Sequence, residues 1–410
     1  MATINEHFLK LPANYLFSEI RKRVRDFRTN HPEAHIISLG IGDVTQPLAP
    51  AVVAAMKRAV EEMSKQETFH GYGPWEGYNF LREAIIKRDF NPRGVELDLD
   101  EVFISDGSKC DLANLQEVFG PDNVVAVADP VFPVYVDTNV MAGRTGERRE
   151  NGQYEGIIYM PCTPGNDFTP ELPGTHADLV YLCYPNNPTG AVATKEALET
   201  WINHAREHRS IILFDAAYAA YIADPAIPQS IYEIEGAKEV AVEFRSFSKS
   251  AGFTGIRCAY TVVPKDLQAY HGDGSPVAVN PLWFRRQSTK FNSVSYITQR
   301  GAAAALGNEG WKQCQQTIAT YMRSADRLCK AFTNLGYTVY GGTDAPYIWM
   351  ETPDGQSSWD FFHWLLDKAH VVCTPGSGFG AAGEGFVRLS AFATPANVDG
   401  VLERIEELAR

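Results

Sequence analysis

The chain has 410 residues, 45% of them apolar and 21% charged, with a formal net charge of −13. That length suits a large domain with a smaller companion, and the acidic balance argues against nucleic-acid binding, which wants a basic surface. No apolar run reaches the roughly eighteen residues of a membrane-spanning helix, and the first twenty residues hold no apolar signal core, so neither membrane nor export is expected. The seven scattered cysteines lack paired spacing and point to reduced thiols in a cytoplasmic (cytosolic or plastid-like) setting.

Residues 1–35 are polar, carry a helical stretch near Phe17 to Phe27, and read as an arm. Amphipathic spacing then predicts helices over Ala49 to Ser64 and Asn79 to Asp89. Four short apolar runs follow, at Val102 to Ser105, Val124 to Val127, Leu179 to Leu182 and Ile211 to Phe214, several with helical segments between them. Such runs, apolar on both faces, predict a mainly parallel sheet wrapped by helices. His204 and His208 lie four apart on the helix predicted over Lys195 to His208, and read as a solvated face rather than a zinc pair. A long helix is expected over Glu309 to Leu335. Strands follow at Tyr337 to Tyr340, Tyr347 to Met350, Val371 to Cys373 and Phe386 to Ser390, and a closing amphipathic helix runs from Ala396 to Arg410. The layout divides into an arm (1–45) that joins the small domain or a partner subunit, a large α/β domain (46–300) and a small α+β domain (301–410).

The string Ser246-Phe247-Ser248-Lys249-Ser250-Ala251-Gly252-Phe253-Thr254-Gly255-Ile256-Arg257 sets one lysine among small hydroxyl residues, with an arginine eight positions on. A lysine that forms an imine with an aldehyde cofactor needs slim neighbours and a nearby cation for the cofactor's phosphate. Asp106-Gly107-Ser108-Lys109 follows a predicted strand and opens a helix, where backbone N–H groups, the Ser108 hydroxyl and the Lys109 charge suit the same phosphate. Asp215 ends a strand, where α/β sheets place ligand groups, and its carboxylate suits a protonated ring nitrogen. Tyr218 and Asn187 suit the ring's phenolic oxygen, and Phe132 its face. Arg388 is a charge inside a strand-like run and needs a partner, which a substrate carboxylate supplies. Each has a bland alternative: a surface loop, an N-capped turn, a strand cap, a core aromatic, a structural ion pair.

Together with Tyr184-Pro185-Asn186-Asn187-Pro188-Thr189-Gly190 and Phe214-Asp215-Ala216-Ala217-Tyr218, these motifs keep the order and spacing of a family, and the chain resembles the pyridoxal-phosphate aminotransferases of fold type I over nearly its whole length. Within that family the finer likeness is to the LL-diaminopimelate aminotransferases. It is carried by Asn14-Tyr15-Leu16-Phe17, Leu39-Gly40-Ile41-Gly42-Asp43, Gly71-Tyr72-Gly73-Pro74, Ile104 to Lys109, Pro133-Val134-Tyr135-Val136-Asp137 and Lys290-Phe291-Asn292.

The resemblance implies an α/β fold with a mainly parallel seven-stranded sheet, pyridoxal 5'-phosphate as cofactor, amino-acid and 2-oxo-acid substrates, and a homodimer with shared sites. Lys249 is then the cofactor lysine and proton carrier, assisted by Asp215 and Tyr218. The cofactor is held by Ser108, Lys109, Phe132, Asn187, Ser246, Ser248 and Arg257, with Tyr72 and Asn292 reaching across from the neighbouring subunit. The substrate meets Arg388, Gly42, Lys109, Phe132 and Asn187, with Tyr15 from the arm and Tyr72, Glu76 and Asn292 completing its site. The sequence departs from the family in four places. Trp75 occupies the position of a glutamate and Glu76 follows it; Phe132 replaces a tyrosine; Ser293 replaces a glycine; and His271 to Pro276 is longer than usual. A class I aminotransferase of other specificity, a related lyase, and a catalytically silent relative are the competing readings.

Overall fold

The structure, a computed structural model, describes residues 1–12, 15–40 and 42–408. Asn14 and Ile41 of the motifs above, and the last two residues of the expected closing helix, lie outside the described residues. Its centre is a seven-stranded sheet of β1 (Val102–Ser105), β2 (Val125–Asp129), β3 (Ile157–Pro161), β4 (Leu179–Cys183), β5 (Ile211–Asp215), β6 (Ala241–Ser246) and β7 (Ala259–Val262). The spatial order is β1-β7-β6-β5-β4-β2-β3, and β7 alone runs antiparallel to its neighbours. Helices cover both faces, so strands such as β4 and β5 are buried at every position, as their unbroken apolar sequences require. The carboxyl ends of β1, β2, β4, β5 and β6 share one edge, and there the chain leaves Ser105, Asp129, Cys183, Asp215 and Ser246.

Three of these strands, β3, β6 and β7, lie outside the four expected apolar runs. In β6, Glu243 and Arg245 break the pattern, yet both are buried and pair at 2.6 Å. Ser230 and the Ile231 N–H also donate to Glu243, at 2.6 and 3.0 Å, so the charges are satisfied inside the fold. β3 pairs in parallel with β2 along its whole length, and β7 bridges β1 and β6. The expected helix from Asn79 ends as α-helix at Ile85 and continues as a π-turn over Ile86–Phe90.

A second sheet comprises β8 (Val339–Gly341), β9 (Tyr347–Glu351), β10 (Thr374–Pro375) and β11 (Phe386–Ser390), antiparallel in the order β8-β9-β11-β10. Arg388 on β11 lies across from Trp349 on one side and Thr374 on the other. The 27-residue helix Asn308–Asn334 precedes it and ends where Gly336 takes a left-handed φ of 89°. The Tyr337 N–H then returns to the Phe332 carbonyl at 3.1 Å, a Schellman closure that delays β8 to Val339 rather than Tyr337. The arm packs onto this second unit: Ile37–Ser38 pairs in parallel with Val371–Val372 as a separate two-stranded sheet, and Ile20 of the helix Leu16–Asn30 enters the same apolar cluster as Leu328, Phe362 and Val401.

Candidate active site

At the carboxyl edge of the large sheet a cavity of about 340 Å³ runs from the loop before helix Ser108–Leu115 to Arg388 on β11. One end is built for an anion. Ser108 opens the helix, Ser246 caps the turn Phe247–Ser250 by accepting from the Ser248 N–H at 3.1 Å, and Arg257 donates to the Ser248 hydroxyl at 3.2 Å. Gly107 leaves room for the Arg257 guanidinium, which a Cβ at this position would displace.

The middle holds Asp215, Tyr218, Phe132 and Lys249. Asp215 accepts from the Tyr135 hydroxyl at 2.6 Å and from the Ala217 N–H at 3.0 Å. Burial raises its carboxyl pKa, and those two donors oppose the rise. The Tyr218 hydroxyl lies 2.7 Å from that of Tyr347, and burial pushes it well above the usual phenol value. Burial pushes the Lys249 ammonium down to about 8; nearby Asp43 resists, while Arg388 and Arg257 add to the fall. A neutral, nucleophilic amine is therefore accessible close to neutral pH. The Lys249 Nζ rests on the Gly42 carbonyl, and its own carbonyl accepts from the Tyr221 hydroxyl at 2.9 Å.

At the far end Arg388 is 1% exposed. Its Nη1 donates to Asn187 Oδ1 and its Nη2 to the Gly40 carbonyl, both at 2.7 Å. Nε is buried without a partner, and among the described residues no carboxylate pairs with this guanidinium. The rings of Tyr347 and Phe379 lie 4.4 and 4.9 Å from it. A buried cation held by neutral groups and aromatic faces is arranged to receive an anion from outside the chain. The whole set fits pyridoxal phosphate: donors for a phosphate, a buried acid for a ring nitrogen, an amine of lowered pKa, and a spare guanidinium for a substrate carboxylate.

Most residues expected from the sequence meet here. Gly42, Ser108, Lys109, Phe132, Asn187, Asp215, Tyr218, Ser246, Ser248, Lys249, Arg257 and Arg388 all line the cavity. Four do not. Tyr15 lines an adjoining cavity instead. Tyr72 is 89% exposed and Asn292 is exposed as well. Glu76 turns toward Arg82 of its own chain, at 3.7 Å. Two tyrosines were missed. Tyr135 had a signal, lying three residues past Phe132 at helical spacing; Tyr347 had none, because only the pairing of β9 with β11 brings it to Arg388.

A profile of the family described as aminotransferase class I and II matches residues 34–405. Among solved structures, the L,L-diaminopimelate aminotransferase from Chlamydomonas reinhardtii is 47% identical, with 100% of this chain and 99% of that one covered and a TM-score of 0.93. An aromatic aminotransferase from Pyrococcus horikoshii OT3 is 26% identical, with 93% and 98% covered and a TM-score of 0.78. The chain belongs to the class I and II aminotransferases, enzymes that work with pyridoxal 5'-phosphate.

Proposed function

We propose that the chain moves an amino group between LL-diaminopimelate and 2-oxoglutarate, giving tetrahydrodipicolinate and glutamate, a reaction of lysine and peptidoglycan precursor synthesis. The observation that carries this reading is full-length likeness, at 47% identity, to an enzyme of that name. Pyridoxal phosphate, when bound, supplies an aldehyde that captures amines and a ring that draws electrons from the substrate's Cα. Ser108, Ser246, Ser248 and Arg257 hold its phosphate. Asp215, whose carboxylate form the Tyr135 hydroxyl and the Ala217 N–H favour, would pair with the ring nitrogen. Tyr218 and Asn187 would donate to the phenolic oxygen, and Phe132 would pack on the ring. Arg388 takes the α-carboxylate and so fixes Cα beside Lys249, whose amine removes and returns the Cα proton.

The chain acts as a homodimer in which Tyr72 and Asn292 enter the partner's site; their exposure in one subunit supports this. The division into an arm (1–45), a large domain (46–300) and a small domain (301–410) is supported by the separation of the seven-stranded sheet from the four-stranded one. All seven cysteines are free thiols, which supports a cytoplasmic location. Among the described residues no helix is long and apolar enough to cross a membrane.

A second reading, a class I aminotransferase for another amino acid, is favoured by Trp75, whose half-exposed indole stands where relatives carry an acid. Single-turnover absorbance of the cofactor-loaded enzyme separates the two. LL-diaminopimelate and glutamate are expected to convert the bound cofactor rapidly while meso-diaminopimelate does not. Conversion by glutamate with aspartate or tyrosine, and none by LL-diaminopimelate, would replace the first reading with the second.

A further inference from the structure

Tyr218 and Tyr347 share a single hydrogen bond between two buried hydroxyls. Their oxygens lie 2.7 Å apart, and among the described residues neither hydroxyl has another hydrogen-bond partner. The side chains are 7% and 1% exposed, and burial pushes both hydroxyls above the usual phenol value, so each keeps its proton. Two hydroxyls carry two protons, and one bond between them uses only one. The other O–H needs an acceptor that the chain does not provide. Both residues line the cofactor-facing cavity, so that acceptor comes from the cavity's occupant.

Tyr347 is held in place by more than this bond. It opens β9 opposite Ser390 on β11, and its carbonyl accepts from the Gly342 N–H at 2.8 Å. Its ring meets that of Tyr218 edge to face at 5.1 Å and that of Phe392 at 6.2 Å, while the Arg388 guanidinium lies over it. The hydroxyl comes so close to the Gly42 backbone that a Cβ there would collide with it, so the oxygen is walled in on that side. Tyr218 follows β5 of the large sheet, so the hydroxyl pair forms only when the two sheets are assembled.

We propose that Tyr347 is a positioning residue for the cofactor's phenolic oxygen: it donates to the Tyr218 oxygen and so commits the Tyr218 proton to the cofactor. The direction follows from the count of protons. Once Tyr218 donates to the phenolic oxygen, Tyr347 can satisfy its own O–H only by donating to Tyr218, and the two hydroxyls form one chain that ends in the cavity. A hydroxyl that accepts a hydrogen bond becomes a stronger donor, by about 10–30% per bond. Without the Tyr347 hydroxyl, Tyr218 remains a donor, but a weaker and less directed one. The inference rests on the reading of Tyr218 as donor to the phenolic oxygen, and is independent of which amino acid is the substrate.

The test is a pH titration of the cofactor-loaded enzyme read by visible absorbance, which changes as the bound cofactor takes up a proton. A donor to the ionised phenolic oxygen opposes that uptake, so a weakened donor lets the proton bind at higher pH. Tyr347→Phe is expected to raise the midpoint by about 0.3–0.5 pH unit. Tyr218→Phe is expected to raise it further, and the double variant no further than Tyr218→Phe alone. A midpoint unmoved or lowered in Tyr347→Phe overturns the proposal. So does full additivity in the double variant, which is what a purely structural effect of Tyr347 would give. Replacing Tyr347 by 3-fluorotyrosine keeps the hydroxyl and makes it a stronger donor, and is expected to lower the midpoint. No change there overturns the proposal without removing any group from the fold. A titration unmoved in Tyr218→Phe overturns the reading of Tyr218 itself, and the proposal with it.

Discussion

Asp215 shows how a single residue is tuned by groups that its own motif does not contain. Two donors, the Tyr135 hydroxyl and the Ala217 N–H, favour the carboxylate, and burial disfavours it. Removing Tyr135's hydroxyl therefore lets the pKa of Asp215 rise further, so the acid is protonated at a higher pH. Tyr135→Phe is expected to weaken cofactor binding about tenfold near neutrality and to move the acid limb of binding to higher pH. Absorbance titration of the cofactor-free chain with pyridoxal phosphate across pH reads both, and an unmoved acid limb would reduce Tyr135 to a packing residue. Lys249, Asp215 and Arg388 were legible because their neighbours form contiguous motifs. Tyr135 stood in such a motif too, but its role did not show, because a tyrosine on a short helix reads as core until Asp215 is placed beside it.

The elements behind the site are fixed by contacts that do not reach the ligand. Helix Ser108–Leu115 is tied to the sheet by Asp111, which accepts from Ser105 on β1 at 2.5 Å and from Thr261 on β7 at 2.8 Å. Burial pushes this carboxyl up to about 7 against those two donors. Asp111→Ala leaves two buried hydroxyls without an acceptor and is expected to cost about 2–3 kcal/mol of stability, read by denaturant unfolding, with weaker phosphate retention. An unchanged unfolding midpoint would refute that anchoring role. The helices and the strands β1, β2, β4 and β5 follow from periodicity and apolar runs. What apolar runs concealed was β6, whose buried charge pair breaks its pattern, whereas β3 and β7 carry apolar residues of their own.

For the whole molecule, the exposed aromatic residues are the informative ones. Trp75 and Phe284 are 45% and 38% exposed and meet edge to face at 6.2 Å, and Tyr72 stands 89% exposed nearby in sequence. Placing them in a subunit contact removes apolar surface from water and carries Tyr72 toward the partner's site. Sedimentation is expected to give twice the 45.4 kDa chain mass for the wild type, and a larger monomer fraction with lower activity for the Trp75→Asp, Phe284→Asp double variant. A wild-type monomer that retains full activity would remove the shared-site arrangement. The expectation of a dimer comes only through resemblance, since nothing in a single chain's periodicity says which exposed aromatics a second copy would cover.

The pairing of Ile37–Ser38 with Val371–Val372 also sets an order in time. On the ribosome the two partners emerge about 330 residues apart, an interval of roughly 20–70 s at ordinary rates of translation. Throughout that interval the early strand has nothing to join, whereas every strand of the large sheet has been made by Val262. Arg388 arrives later still, on β11. The growing chain thus contains the residues of a cofactor cradle well before it contains those of a substrate clamp, and a chain released early would hold the first without the second.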